Sequence, residues 1–153
     1  MDESKNIKNV PQQVVIDGDN LIAGRLSSRV AKLLLSGKNV TIINCEKIML
    51  SGNRNSIIRE YKEYLKISSI INPKHGPFHS RRPDTIMKKM IRGMLPKNKA
   101  SGKNSLKRLR TYVGSPTHTK KIKKIKLDKT DTTKPIMSYT SMLELGKNIG
   151  QSQ

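Results

Sequence analysis

The sequence holds no tryptophan, one phenylalanine and one cysteine among its 153 residues. With aromatics at 3%, any core must be aliphatic and small, built from Ile, Leu, Val and the seven methionines. The lone cysteine, Cys45, excludes an intramolecular disulfide and fits a reducing compartment. No apolar run reaches the ~20 residues that a bilayer-spanning helix needs. The opening stretch, Met1 to Pro11, is polar and mixed in charge. It reads as neither a secretory signal nor an Arg-rich transit peptide, so cytosolic residence is expected. Acidic residues are scarce too: 11 Asp and Glu stand against 31 Lys and Arg, a formal charge of +20. Such an excess repels itself in a compact chain, and a polyanionic partner relieves the repulsion. Nucleic acid is the first expectation and an anionic membrane the second. The near absence of Trp and Phe removes the large apolar anchors that a membrane-surface helix uses. The apolar fraction, 34%, is low for an independent globule, so part of the chain is expected to order only on a partner.

What the chain does have is a concentrated belt of base. Lys74 to Lys126 carries 17 Lys and Arg and one acid, Asp84. Met1 to Pro73 carries 11 basic and seven acidic residues, and Leu127 to Gln153 three of each. A block of like charge this dense points to phosphate contact rather than to an idle solvated face. It specifies a polyanion without distinguishing RNA from DNA. It also implies little sequence reading, because phosphate contacts mainly position a protein.

The first half reads as α/β. Val14-Val15-Ile16, ended by Asp17-Gly18-Asp19, predicts a buried strand and a turn. Ile22, Leu26, Val30, Leu33 and Leu34 recur at helical spacing, with Asn20 as cap and Gly37 as stop. Val40-Thr41-Ile42-Ile43 predicts a second strand buried on both faces, completing a right-handed βαβ unit. A second helix is predicted over about 55–67, with Ile57, Ile58, Tyr61, Tyr64 and Leu65 on one side. A Gly- and Pro-rich loop follows, Asn72 to Pro83. The third helix has Asp84 as cap, a stripe of Ile86, Met87, Met90, Ile91 and Met94, and Pro96 as stop. Lys88, Lys89 and Arg92 lie off that stripe, so one face can pack while the other meets RNA. A short helix over about 103–109, a strand at Thr111-Tyr112-Val113 and a last helix over about 141–149 complete the reading. Lys120 to Lys126 is Lys-rich with interleaved Ile.

In the loop, prolines cut the freedom lost on docking, and Gly76 allows close backbone approach to a ligand. His79, Arg81 and Arg82 can donate to phosphates or stack on bases. His75 and His79 stand four apart, but Gly-Pro between them prevents a regular helix, and no second ligand pair lies near. Cys45 follows an apolar strand and reads as a buried thiol rather than a nucleophile. Asp17 and Asp19 suit turn and cap roles. Gly18 and Gly24 do not make a dinucleotide fingerprint, and no phosphate-binding Gly-rich loop is present.

Several segments resemble a known family. They are Ile16-Asp17-Gly18 with Gly24-Arg25-Leu26-Ser27-Ser28, and Asn44-Cys45-Glu46-Lys47 with Ser51-Gly52-Asn53. The more specific ones are Asn72-Pro73, Gly76-Pro77-Phe78-His79-Ser80-Arg81-Arg82-Pro83 and Arg92-Gly93-Met94-Leu95-Pro96. Leu106-Lys107-Arg108-Leu109 with Tyr112, Gly114 and Pro116 ends the series. In order and spacing they resemble the universal large-subunit ribosomal protein number thirteen, archaeal and eukaryotic branch, from about Val14 to Pro116. Ser80 stands where that family more usually carries an aromatic, Met87 stands where a bulkier residue is expected, and the match thins after Gly114.

The resemblance implies a three-layer α/β/α fold with a four-stranded parallel sheet, a basic loop and a C-terminal extension. It implies a tail over 1–12, an RNA-binding domain over 13–116, and a basic segment with a short helix over 117–153. It also implies a structural, non-enzymatic part of the cytoplasmic large ribosomal subunit that aids subunit assembly. The partners would be large-subunit ribosomal RNA and neighbouring ribosomal proteins. No metal, cofactor, membrane or small-molecule substrate is expected. His79, Arg81, Arg82, Lys88, Lys89, Arg92 and Lys97 carry over as RNA contacts, with Arg25 on the first helix. The belt adds Lys74, Lys99, Lys103, Lys107 and Arg108. The alternative is an RNA-modifying enzyme, which would need a nucleotide-type cofactor in a pocket at the strand ends.

Overall fold

A computed structural model describes residues 12–119, 124–125 and 139–150. Most of the tail expected over 1–12 and most of the Lys120 to Lys126 stretch lie outside the described residues.

The fold is mixed α/β around a parallel sheet. β1 (Gln13–Asp17) and β2 (Asn39–Ile43) pair parallel, Val14 against Val40 and Ile16 against Ile42. Val14, Val15, Ile16, Val40, Ile42 and Ile43 are all fully buried, as expected of β-branched runs covered on both faces. Between them runs α1 (Ala23–Leu35), which buries Leu26, Val30 and Leu34. Its start differs from the expectation. Asn20 does not cap it: Ile22 occupies the cap position without a side-chain bond, and Asn20 sits at φ +57° in the preceding turn. Gly37 does end it. At φ +91°, its N–H donates to Leu34 O at 3.1 Å, and Lys38 N–H donates to Leu33 O at 3.1 Å. That pair of bonds satisfies carbonyls the helix would otherwise leave open, in a conformation glycine adopts without strain.

After a single 3-10 turn, Cys45–Lys47, comes the short β3 (Met49–Ser51). α2 (Arg54–Lys66) follows, capped by Asn53, whose side chain accepts from Asn55 N–H. None of its residues is fully buried; Ile57, Ile58, Tyr61 and Leu65 only lean on the core. α3 (Pro83–Met94) begins with Pro at its first turn. Here too the cap differs. Arg82 holds the cap position, while Asp84 lies in the first turn, where a carboxylate favours the helix dipole. Ile86, Met87 and Ile91 are buried as the stripe predicts, but Met94 is 46% exposed, because the chain leaves the helix there.

α4 (Ala100–Lys107) starts three residues earlier than expected. β4 (Leu109–Thr111) follows it and pairs parallel with β2. The strand expected at 111–113 is thus displaced toward the N-terminus. Leu109 is the reason: it is fully buried opposite Val40, and its burial sets the register. On the other side of β1, β5 (Lys124–Ile125) pairs parallel with Val15 and Ile16. β6 (Tyr139–Ser141) pairs antiparallel with β3. α5 (Met142–Asn148) is capped by Ser141, which accepts from Glu144 N–H. It sends the fully buried Met142 and Leu145 into the same core.

Cys45 is fully buried. Removal from water pushes its thiol up to about 12, against a hydrogen bond from the Tyr112 backbone that lowers it. We expect no alkylation of Cys45 by iodoacetamide in the native protein at pH 8, and full alkylation in denaturant, read by intact mass. The raised thiol has a consequence for stability. The unfolded chain releases this proton at about 9 and the folded one at about 12. Its contribution is present below pH 9 and lost as pH rises to 12.

Candidate nucleic-acid interface

Most of the expected basic contacts fall into two groups, one on the loop before α3 and one around the C-terminal part of that helix. The first is the loop before it. A 3-10 turn, Pro73–His75, opens this loop, capped by Asn72, whose side chain accepts from Lys74 N–H at 3.1 Å. The His79 ring meets Tyr64 edge to face at 4.4 Å, and its Nε2 lies 2.6 Å from Ile67 O. The Tyr61 hydroxyl donates to Ser80 O at 3.4 Å. Lys89 donates to Phe78 O at 2.8 Å and stands over the Tyr64 ring at 5.5 Å. His79 and Lys89 therefore pin the loop to α2 and α3. Gly76 makes a close approach, but to the chain itself: a Cβ there would lie 3.1 Å from Ser69 N.

So braced, the loop displays Lys74, Arg81, Arg82 and a 90% exposed Phe78. Arg81 reaches Gly150 O at 3.3 Å. Arg82 pairs with Asp84 at 3.3 Å while its side chain stays largely exposed.

The second group lines a cleft of about 650 Å³ between the end of α3, α4 and β4. Lys88, Arg92, Lys97, Lys103, Lys107 and Arg110 surround it, and Leu95, Gly102 and Leu106 form the rest of its wall. Sequence reasoning counted Arg110 in the belt but did not single it out. The signal was its place two residues after Arg108, on a strand that the reading began too late.

Three expected contacts lie in neither group. Arg25 is on the exposed face of α1, and Lys99 is exposed just before α4. Arg108 is half-buried and engaged in the fold. Its Nη2 donates to Leu34 O at 2.8 Å and to Ser105 Oγ at 3.1 Å. Ser105 also donates to Leu34 O, at 3.2 Å. Arg108 thus ties the end of α1 to the end of α4.

Among the described residues, the ends of β1 and β2, on the side where an open α/β sheet usually holds a cofactor, pack against neighbouring chain. Gly18 N–H donates to Ile43 O at 2.9 Å, and a Cβ on Gly18 would lie 2.8 Å from Ile48 Cγ1. Asn44 donates to Asp17 at 2.7 Å, and Gly114 N–H donates to Glu46 at 2.9 Å. Among the described residues no group of His, Cys, Asp and Glu is placed to hold a metal.

The model of ribosomal protein L13 covers residues 11–118. The chain belongs to the ribosomal protein L13 family. Its members include "Large ribosomal subunit protein uL13" of Methanocaldococcus jannaschii, 40% identical over 137 residues, which is 89% of this chain and 96% of that one. The protein of the same name from Aeropyrum pernix is 38% identical over 140 residues, 91% of this chain and 90% of its own. That of Methanosarcina barkeri is 42% identical over 134 residues, 87% and 92%. Membership of this ribosomal protein family makes the chain a structural constituent, not an enzyme. The L13 match spans both basic groups.

Proposed function

We propose that this chain is built into the cytoplasmic large ribosomal subunit, where it binds and stabilises folded ribosomal RNA and aids assembly. Its neighbours there include other ribosomal proteins. The observation that carries the reading is the pairing of a braced basic loop with a cation-lined cleft on one stretch of chain, Lys74 to Arg110. The unit over 13–116 carries the RNA surface, with 1–12 a tail and 117–153 an extension. β5 serves as the fourth parallel strand of a three-layer α/β/α fold.

Arg81, Arg82, Lys74, Lys88, Arg92, Lys97, Lys103, Lys107 and Arg110 meet phosphates directly. Arg25 and Lys99 contact RNA at the margins. His79, Lys89 and Arg108 act first by holding the loop and the helix ends, so that the neighbouring cations are positioned before binding.

Sedimentation of lysate through a sucrose gradient tests the proposal. The tagged chain should travel with large subunits. The Arg81→Ala/Arg82→Ala double variant should leave them at lower salt than wild type, since each lost phosphate contact flattens the salt dependence by about 0.7–0.9. A chain that stays at the top of the gradient, or a double variant that dissociates at the same salt as wild type, would count against it.

A further inference from the structure

We infer that the cleft between α3, α4 and β4 takes a single unstacked nucleotide of the bound RNA, base inward and phosphates outward. This rests on the RNA-binding reading above and says which part of an RNA the cleft recognises.

The wall has two chemistries. Lys88, Lys97, Lys103 and Lys107 are exposed. Their ammonium groups have no hydrogen bond or ion pair within the described residues. They are free to meet phosphate oxygens. Between them the wall is apolar, with Leu95 and Leu106 and no carboxylate. A surface that bound only phosphates would need the rim alone. An apolar floor inside a cationic rim suits a ligand with a flat, weakly polar face and an anionic tether, which describes an extruded base on its backbone. The cleft volume, about 650 Å³, lies within the roughly 300–1,000 Å³ of sites that hold small organic ligands. A paired duplex keeps its bases stacked inside, so it can use the rim but offers nothing to the floor.

Two details show that the floor is built. Gly102 closes α4 onto the chain leaving α3, so closely that a Cβ would lie 2.1 Å from Pro96 O. Arg110 is held from its own backbone side, Nη1 donating to Lys107 O at 3.3 Å and to Leu109 O at 3.5 Å. A guanidinium fixed in this way offers a flat face against which a base can stack.

The test uses the full-length chain and two RNA hairpins with equal numbers of phosphates. One is fully paired, and the other has a single bulged purine. The bulged hairpin should bind about tenfold more tightly, the scale of one favourable base contact. With 2-aminopurine as the bulged base, fluorescence should rise on binding, because the base leaves its stack for a wall without aromatic rings. Leu106→Gln makes the floor polar without changing charge. It should abolish the preference while leaving the salt slope for the paired hairpin intact.

Equal affinity for the two hairpins, or unchanged 2-aminopurine fluorescence, would overturn the inference and leave RNA binding standing. Failure to bind either hairpin would overturn both. The fluorescence measurement needs no variant, so it decides the matter even if Leu106→Gln fails to fold.

Discussion

Replacing Lys88, Lys97, Lys103 and Lys107 together by Gln should flatten the log–log salt dependence of RNA affinity by about 2.8–3.6. The four side chains lie on the cleft wall, are exposed and have no partners within the described residues. Each can release a condensed counterion from the RNA, and the effects sum because every contact enters the exponent. Over a fourfold rise in salt, the lost steepness corresponds to roughly 50–150-fold in affinity. Gln keeps most of the side-chain length and removes only the charge. The variant should fold at least as stably as wild type, because four charges leave a chain of net +20. Fluorescence anisotropy with a ribosomal RNA fragment at several salt concentrations gives the slope, and a thermal melt gives the stability. An unchanged slope would show that these lysines face solvent in the complex and that the cleft is not part of the RNA surface.

The largest effect on the fold should come from one methyl group. Gly102 lies inside α4, where intrinsic propensity favours Ala over Gly by about 1 kcal/mol. Here packing reverses that sign. The Cβ of Gly102→Ala would fall 2.1 Å from Pro96 O and 2.8 Å from Pro96 C. Both are backbone atoms and cannot swing aside. Either α4 or the chain at Pro96 must move, and overpacking of this kind costs about 1–3 kcal/mol. The displacement also opens the cleft wall, so RNA affinity should fall with stability. Gly93 provides the control. It lies in α3 with nothing within 4 Å of its virtual Cβ, so Gly93→Ala should stabilise by up to about 1 kcal/mol. Urea denaturation of the two variants should therefore move in opposite directions. If both stabilise, propensity governs both sites and the close packing at Pro96 carries no energetic weight.

Sequence periodicity located the elements well where burial was two-sided or strongly amphipathic. Val14–Ile16 and Val40–Ile43 form strands, the state that short β-branched runs bounded by turn signals favour when both faces are buried. α1 and α3 followed their apolar stripes. The errors came at ends and at short elements. Asn20 and Asp84 are residues that cap helices in general, yet neighbouring turn geometry gave the cap positions to Ile22 and Arg82. α4 was misplaced by three residues because its composition, Ser, Gly, Asn and Lys, carries little periodic signal.

The belt itself was fully legible, since charge is additive along the chain and needs no fold to be counted. Its division was not. Whether a cation is free or engaged depends on acceptors distant in sequence: Phe78 O for Lys89, Ile67 O for His79, Leu34 O for Arg108. Linear order determined that this protein is a polycation with a small aliphatic α/β core and a family-specific basic loop. Only tertiary packing decided which positive groups serve as internal braces and which line the cleft. A hydrogen bond is set by where two atoms end up in space, and composition does not encode that.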